Sequence, residues 1–232
     1  MVSLIICFFV TFTDHLWVVN LKMKYNLMNM ATKSVAAVIL GVFRTLQGIT
    51  AAAQTHAKPK LVVGIVVDQM RWDYLYRYYD RYEEGGFKRM LGEGFSCENT
   101  FINYLPSVTA IGHSTIYTGS VPAIHGIAGN DWPDQVTGRK WYCTEDTTVA
   151  PVGSNNAAGK MSPRNLLAFT ITDELKLATN FRSRVVGVSL KDRAAILPAG
   201  HTADGAFWLD DDAAAFITST YYMQELPLWA KR

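Results

Sequence analysis

The chain has 232 residues, of which 49% are hydrophobic, 12% aromatic and 18% charged. That composition excludes a disordered charged tail, a collagen-like repeat and a coiled coil. The formal net charge of +2 is too small to suggest a nucleic-acid-binding surface. Even that excess lies in residues 1–53, where Lys22, Lys24, Lys33 and Arg44 face Asp14 alone.

Two apolar stretches open the chain, both shorter than the roughly 20 residues needed to span a bilayer. The first, Leu4 to Phe12, has no positive charge before it and is soon broken by Asp14 and His15. The second follows the plan of a signal peptide: Met23, basic Lys24 and Lys33, an apolar run from Val35 to Phe43, then Ala51-Ala52-Ala53. We therefore expect translation to start at Met23 and cleavage near Ala53, with 1–53 as leader and 54–232 exported to the periplasm or beyond. No transmembrane span is expected after cleavage; an uncleaved anchor is the alternative. Export leaves Cys97 and Cys143 as a possible disulfide pair, against two buried free thiols.

His56 to Lys60 reads as a linker. Leu61 to Val67 is a continuous apolar, β-branched run ending in Asp68, the pattern of a strand buried on both faces. Trp72 to Tyr82 and Phe87 to Leu91 read as helices, and Phe95 to Tyr104 as a second strand. Ser162-Pro163 offers a cap and a first-turn proline for a helix reaching Leu177. Arg184 to Leu190 is another buried strand. Strands alternating with helices mean an α/β fold.

Chemistry gathers at strand ends in such folds. Asp68 is either a cap or salt-bridge partner, or a cation ligand. Thr109, in Pro106-Ser107-Val108-Thr109-Ala110, stands close to an expected helix start, where unpaired N–H groups favour an alkoxide or phosphate; a plain N-cap is the other reading. Lys191 and Arg193 follow a strand two residues apart. They share a face if the backbone stays extended, as a phosphate clamp or as a solvated charged turn.

Val66-Val67-Asp68, the block from Pro106 to Gly119, the His125-Gly126-Ile127 turn and Asn130 together resemble the alkaline phosphatase superfamily. Within it they resemble the type I phosphodiesterase/nucleotide pyrophosphatase branch and its threonine-nucleophile, Lys-x-Arg monoesterases. The resemblance implies an alkaline-phosphatase-like sheet sandwiched by helices and two zinc ions. It implies that Asp68 and Thr109 ligate zinc and that Thr109 is the nucleophile forming a phosphothreonine intermediate. Asn130, Lys191 and Arg193 would then hold the transferred phosphoryl group. The paired cations favour a dianionic monoester, which makes a phosphomonoesterase the first reading and a nucleotide pyrophosphatase/phosphodiesterase the second.

The family's other zinc ligands are an Asp with a His four residues on, an Asp-His pair and a late His. Downstream of Arg193 no such pattern occurs, and the last histidine is His201. We therefore expect the chain to correspond to the N-terminal part of the catalytic domain, with little turnover by itself; a non-catalytic fragment is the third reading. His113, His125 and His201 are expected to be structural, and Asp210-Asp211-Asp212 a solvated turn.

Overall fold

A computed structural model describes residues 59–231; the leader, Met23 and the Ala51–Ala53 cleavage site lie outside them. Residues 59–64 belong to one unit and are exposed, irregular chain. The described residues from Ile65 onward belong to another.

No strand forms over 61–67, and Leu61 is 79% exposed. A strand persists through its ladder of hydrogen bonds, and no described strand pairs with this run. The expected doubly buried strand is thus corrected to unpaired chain leading to Asp68. The Trp72–Tyr82 segment is not one helix either. It forms α1 (Tyr74–Arg77) and then a 3-10 turn (Tyr79–Arg81), and the Tyr82 hydroxyl folds back to donate to the Tyr74 carbonyl at 2.8 Å. Crowded aromatic side chains lose rotamer freedom in a helix, and Asp73 supplies no side-chain cap. Helix α2 (Phe87–Glu93) forms as expected. The expected strand Phe95–Tyr104 does not, because a turn at Glu98-Asn99 interrupts it.

Helix α3 (Thr109–Thr118) starts one residue after extended Val108 and ends where Gly119 takes a left-handed conformation. The short α4 (Pro122–His125) opens on proline and closes on Gly126. A hairpin follows, β1 (Asp131–Pro133) against β2 (Lys140–Tyr142), antiparallel. Next come β3 (Pro151–Val152), α5 (Ile171–Ala178), β4 (Val186–Ser189), α6 (Asp192–Ala199), β5 (Gly205–Asp210) and β6 (Ala215–Ser219).

The main sheet has the order β3-β6-β5-β4; β4 and β5 are parallel and the other pairs antiparallel. Strand β4, helix α6 and strand β5 form a parallel crossover unit, the mark of an α/β fold. Helix α6 packs on β4 and β5 and also on α3. Its Ala195, Ile196 and Ala199 meet Ala206, Trp208 and Ile217, while Leu197 joins Ala110, Ile111, Ile127, Cys143 and Leu166. The buried Trp208 satisfies its indole N–H on the Ala158 carbonyl at 2.9 Å.

Strand β4 was expected to be buried on both faces. It is an edge strand, with Val186 and Val188 more than half exposed. Its inner face is set by Gly187, where a Cβ would run into the Ala195 carbonyl oxygen and the Ala199 methyl. Gly187→Ala should therefore lower stability by about 1–3 kcal/mol, read as an earlier midpoint in urea; an unchanged midpoint would contradict this packing.

Ser162-Pro163 does not open a helix. The Ser162 hydroxyl donates to Asp146 and accepts from the Arg164 N–H. The start passes to Thr170, whose hydroxyl accepts from Asp173 N–H while Asp173 accepts from Thr170 N–H, a complete capping box. Asp173 is fully buried and serves more than the cap: it also accepts from the Thr202 N–H and hydroxyl, each at 2.8 Å, and from His201. His201 donates its other ring nitrogen to the Leu166 carbonyl. Both nitrogens face acceptors, which fits the charged imidazolium; the bond to Asp173 raises its pKa above the ordinary range.

Candidate active site

Asp68 and Thr109 are 41 residues apart in sequence, and their side chains meet. The Thr109 hydroxyl donates to Asp68 Oδ2 at 2.8 Å, while the other carboxylate oxygen accepts the Gln69 N–H at 2.9 Å. Thr109 is the first helical residue of α3, so its side chain lies at the positive end of the helix dipole. It is not the N-cap that was the alternative reading.

Asn130 comes to the same helix start from the chain just before β1. Its side-chain oxygen accepts the Ala110 N–H at 3.0 Å, capping α3 from outside. That bond leaves the amide NH2 as the donating half of the side chain. Asp68, Thr109 and Asn130 are therefore gathered at one end of α3.

Lys191 and Arg193 part company. Helix α6 begins at Asp192, so the extended backbone expected to align them stops at Lys191. Lys191 is exposed, with its ammonium 3.4 Å from Asp211. Arg193 turns inward and donates Nη1 to the Tyr142 hydroxyl at 2.7 Å. Its Nε is buried with no hydrogen-bond partner among the described residues. Helix α6 packs on α3, and Arg193 and Asp68 both exert an electrostatic influence on His113 of α3, in opposite directions.

The histidines are occupied structurally. His113 is buried and donates Nδ1 to the Thr109 carbonyl; burial, the largest influence, holds its pKa below the ordinary value. His125 is buried too, accepting the Ile127 N–H and bonding the Thr115 hydroxyl. Among the described residues no group of three or more His, Cys, Asp or Glu side chains gathers as a metal site. Asp210 differs from the solvated turn expected for it. It ends β5 nearly buried and accepts from Ser154 and Asn156, while Asp211 and Asp212 are exposed.

The possible Cys97–Cys143 disulfide is contradicted: both cysteines are free. Cys143 is sealed in the cluster between α3 and α6, whereas Cys97 lies on an exposed loop. Burial pushes the Cys143 thiol up to about 12, with the Asp192 charge adding to the shift, so it packs as a small apolar side chain.

A model of the type I phosphodiesterase / nucleotide pyrophosphatase family matches residues 62–229. The chain belongs to that family. It is 66% identical over 180 residues to a protein of Myroides odoratus named calcium-transporting ATPase, covering 78% of this chain and 33% of that one. It is 64% identical over 194 residues to alkaline phosphatase PafA of Elizabethkingia meningoseptica, covering 82% of this chain and 35% of PafA. The crystal structure of wild-type PafA superposes with a TM-score of 0.74 at 66% identity, covering 75% of this chain and 34% of the other. The chain thus spans about a third of the length of the curated relatives it matches. The structure is mixed α/β and shares the PafA fold over that third.

Three residues around Arg193 escaped the sequence reading. Tyr142, Thr144 and Asp192 form the support of Arg193: the Tyr142 hydroxyl donates to Asp192 Oδ1 at 2.9 Å, and the Thr144 hydroxyl donates to Asp192 Oδ2. The only local signal was position. Tyr142 lies across the hairpin from Asp131, the residue after Asn130.

Proposed function

We propose that the chain carries the phosphoryl-accepting half of an exported phosphate monoester hydrolase, with Thr109 as nucleophile. The observation that carries the reading is the Thr109 hydroxyl held 2.8 Å from Asp68 Oδ2 at the start of α3, with Asn130 turned toward the same end. The leader residues from Met23 to Ala53 support export. No described helix is long and apolar enough to cross a membrane.

Asp68 and Thr109 offer two converging oxygens, a carboxylate and a hydroxyl, and this donor chemistry fits a zinc ion. They are half of the four ligands usual at such a metal. When bound, zinc would lower the pKa of the Thr109 hydroxyl and let it attack phosphorus at moderate pH.

The rest of the mechanism belongs to the chain. Asp68 accepts the Thr109 hydroxyl proton in a hydrogen bond and aims the oxygen. The dipole of α3 favours negative charge building up beside Thr109. Asn130 offers its amide N–H to one phosphoryl oxygen, and the Arg193 guanidinium stabilises charge on the remote oxygens. Attack by Thr109 forms its bond to phosphorus as the ester oxygen departs with its electron pair. The hydroxyl proton leaves by way of Asp68 to water, water protonates the departing alcohol, and a second water later cleaves the phosphothreonine to phosphate and the free hydroxyl.

The substrate reading favours a small-molecule monoester over a diester because a dianion gains more from the Arg193 guanidinium. The test is p-nitrophenyl phosphate beside bis-p-nitrophenyl phosphate, with zinc added. Monoester turnover should exceed diester turnover, and Arg193→Ala should shrink the monoester/diester kcat/KM ratio by about 100-fold. A ratio unmoved by that change would transfer the assignment to the phosphodiesterase reading.

A further inference from the structure

We propose that Tyr142 is a positioning residue of the phosphate site, the strut that holds Arg193 in a fixed place relative to Asn130. The inference rests on the phosphoryl-transfer reading of that site.

Arginine has a long, rotatable stem, and a guanidinium held only by its own chain samples many positions. Here Nη1 is anchored on the Tyr142 hydroxyl at 2.7 Å, and the same hydroxyl donates to Asp192 Oδ1 at 2.9 Å. Both hydrogen-bonding roles of the phenol are thereby used. Thr144 holds the second oxygen of Asp192, so the carboxylate beneath the strut is itself fixed.

The other end of the strut is the β1–β2 hairpin. Tyr142 pairs with Asp131 across it, and the Cys143 N–H donates to the Asn130 carbonyl at 2.9 Å. Asn165 ties the hairpin from outside, donating its amide to the Tyr142 and Cys143 carbonyls at 3.3 and 3.2 Å. Asn130 and Tyr142 therefore move as one backbone unit. Through the Tyr142 hydroxyl, Arg193 on α6 joins that unit.

Anchoring also selects which edge of the guanidinium is offered. With Nη1 engaged, the Nε/Nη2 edge is left for an anion, and Nε is the buried atom without a partner. That edge matches two oxygens of a phosphate in the bidentate manner. Burial, reinforced by the Asp192 charge, raises the pKa of Tyr142, so the residue stays a neutral phenol able to accept from Arg193 and donate to Asp192 at once.

The experiment uses the full chain with nitrogen-15 arginine, the Arg193 signal being identified by its loss in Arg193→Lys. Rotation about the guanidinium Nε–Cζ bond is measured by NMR, and the affinity for inorganic phosphate by calorimetry, in wild type and Tyr142→Phe. We expect the removal of one hydroxyl to speed rotation and to weaken phosphate, each at least about tenfold. The affinity loss should vanish in an Arg193→Ala background, because the strut acts only through Arg193. A purely structural tyrosine would lower the unfolding midpoint without moving either readout. Rotation and affinity both within about twofold of wild type would overturn the proposal. Wild type that binds no phosphate while Tyr142→Phe still frees the guanidinium would remove the phosphoryl-transfer reading and leave the strut standing.

Discussion

Thr109→Ala is expected to take zinc-dependent p-nitrophenyl phosphate hydrolysis to the level of the buffer blank, with the fold retained. The oxygen that accepts the phosphoryl group is then missing, and the next hydroxyl along α3, that of Ser114, is buried one and a half turns into the helix. Removing a nucleophile removes the covalent route altogether, whereas removing a charge that stabilises the transition state costs about 100–1,000-fold. Thr109→Ser should keep part of the activity, since a serine oxygen at the first position of α3 retains both the dipole and the reach to Asp68. Wild-type turnover itself is expected to be low and to rise with zinc, because Asp68 and Thr109 supply only two of the ligands a tight site needs. Equal rates in wild type and Thr109→Ala would contradict the assignment.

Asp173→Ala should cost about 3 kcal/mol of unfolding free energy, the largest stability effect we expect from a single side chain. Asp173 lies at the junction of α5 with the chain that follows α6, accepting from Thr170, His201 and Thr202. Its loss leaves the Thr170 and Thr202 N–H groups without that acceptor and His201 without its counter-charge. Asp173→Asn should be nearly as costly, because an amide NH2 in place of Oδ2 would face the Thr170 N–H and the His201 ring nitrogen, donor against donor. Chemical denaturation measures both, and an Asn variant close to wild type would contradict the network.

The same pair predicts how stability varies with pH. Although burial alone would raise it, hydrogen bonds led by that from His201 hold the Asp173 carboxyl well below its ordinary 3.8. Its contribution is therefore present above pH 3.8 and lost as pH falls through the depressed value. His201 lies above its ordinary 6.5, so its contribution is full below pH 6.5 and lost as pH rises through the raised value. Stability should be greatest between these two limbs. His201→Ala should flatten the alkaline limb and also shrink the acid limb, because the leading bond that lowers Asp173 is lost with it.

What was legible in the sequence was local and short-range. Helix α3 could be read because Pro106 and Gly119 bracket it, and β4 because Val185, Val186 and Val188 follow one another before a polar turn. The capping box at Thr170 was missed because Ser162-Pro163 gives an equally good local start signal. Only tertiary bonds from Ser162 to Asp146 decide between them. Leu61 to Val67 failed for the opposite reason. Its composition is that of a buried strand, but a strand also requires a neighbour, which composition does not encode.

At the candidate site, residue types in sequence marked Asp68, Thr109 and Asn130, and the structure brings those side chains to one end of α3. The spacing of Lys191 and Arg193 misled, since the two-residue repeat of a strand gives way to a helix at Asp192. Tyr142 could not be found from spacing at all. Its role depends on a hairpin register and on a helix 51 residues further along the chain.

The central claim is that Thr109 receives the phosphoryl group. The most direct measurement is acid quenching of the zinc-loaded full chain during p-nitrophenyl phosphate turnover, followed by peptide mass spectrometry. The account predicts a single added phosphoryl group on Thr109 in wild type and none in Thr109→Ala. A chain that turns over substrate without phosphorylating Thr109, or that carries the group on another residue, would contradict it.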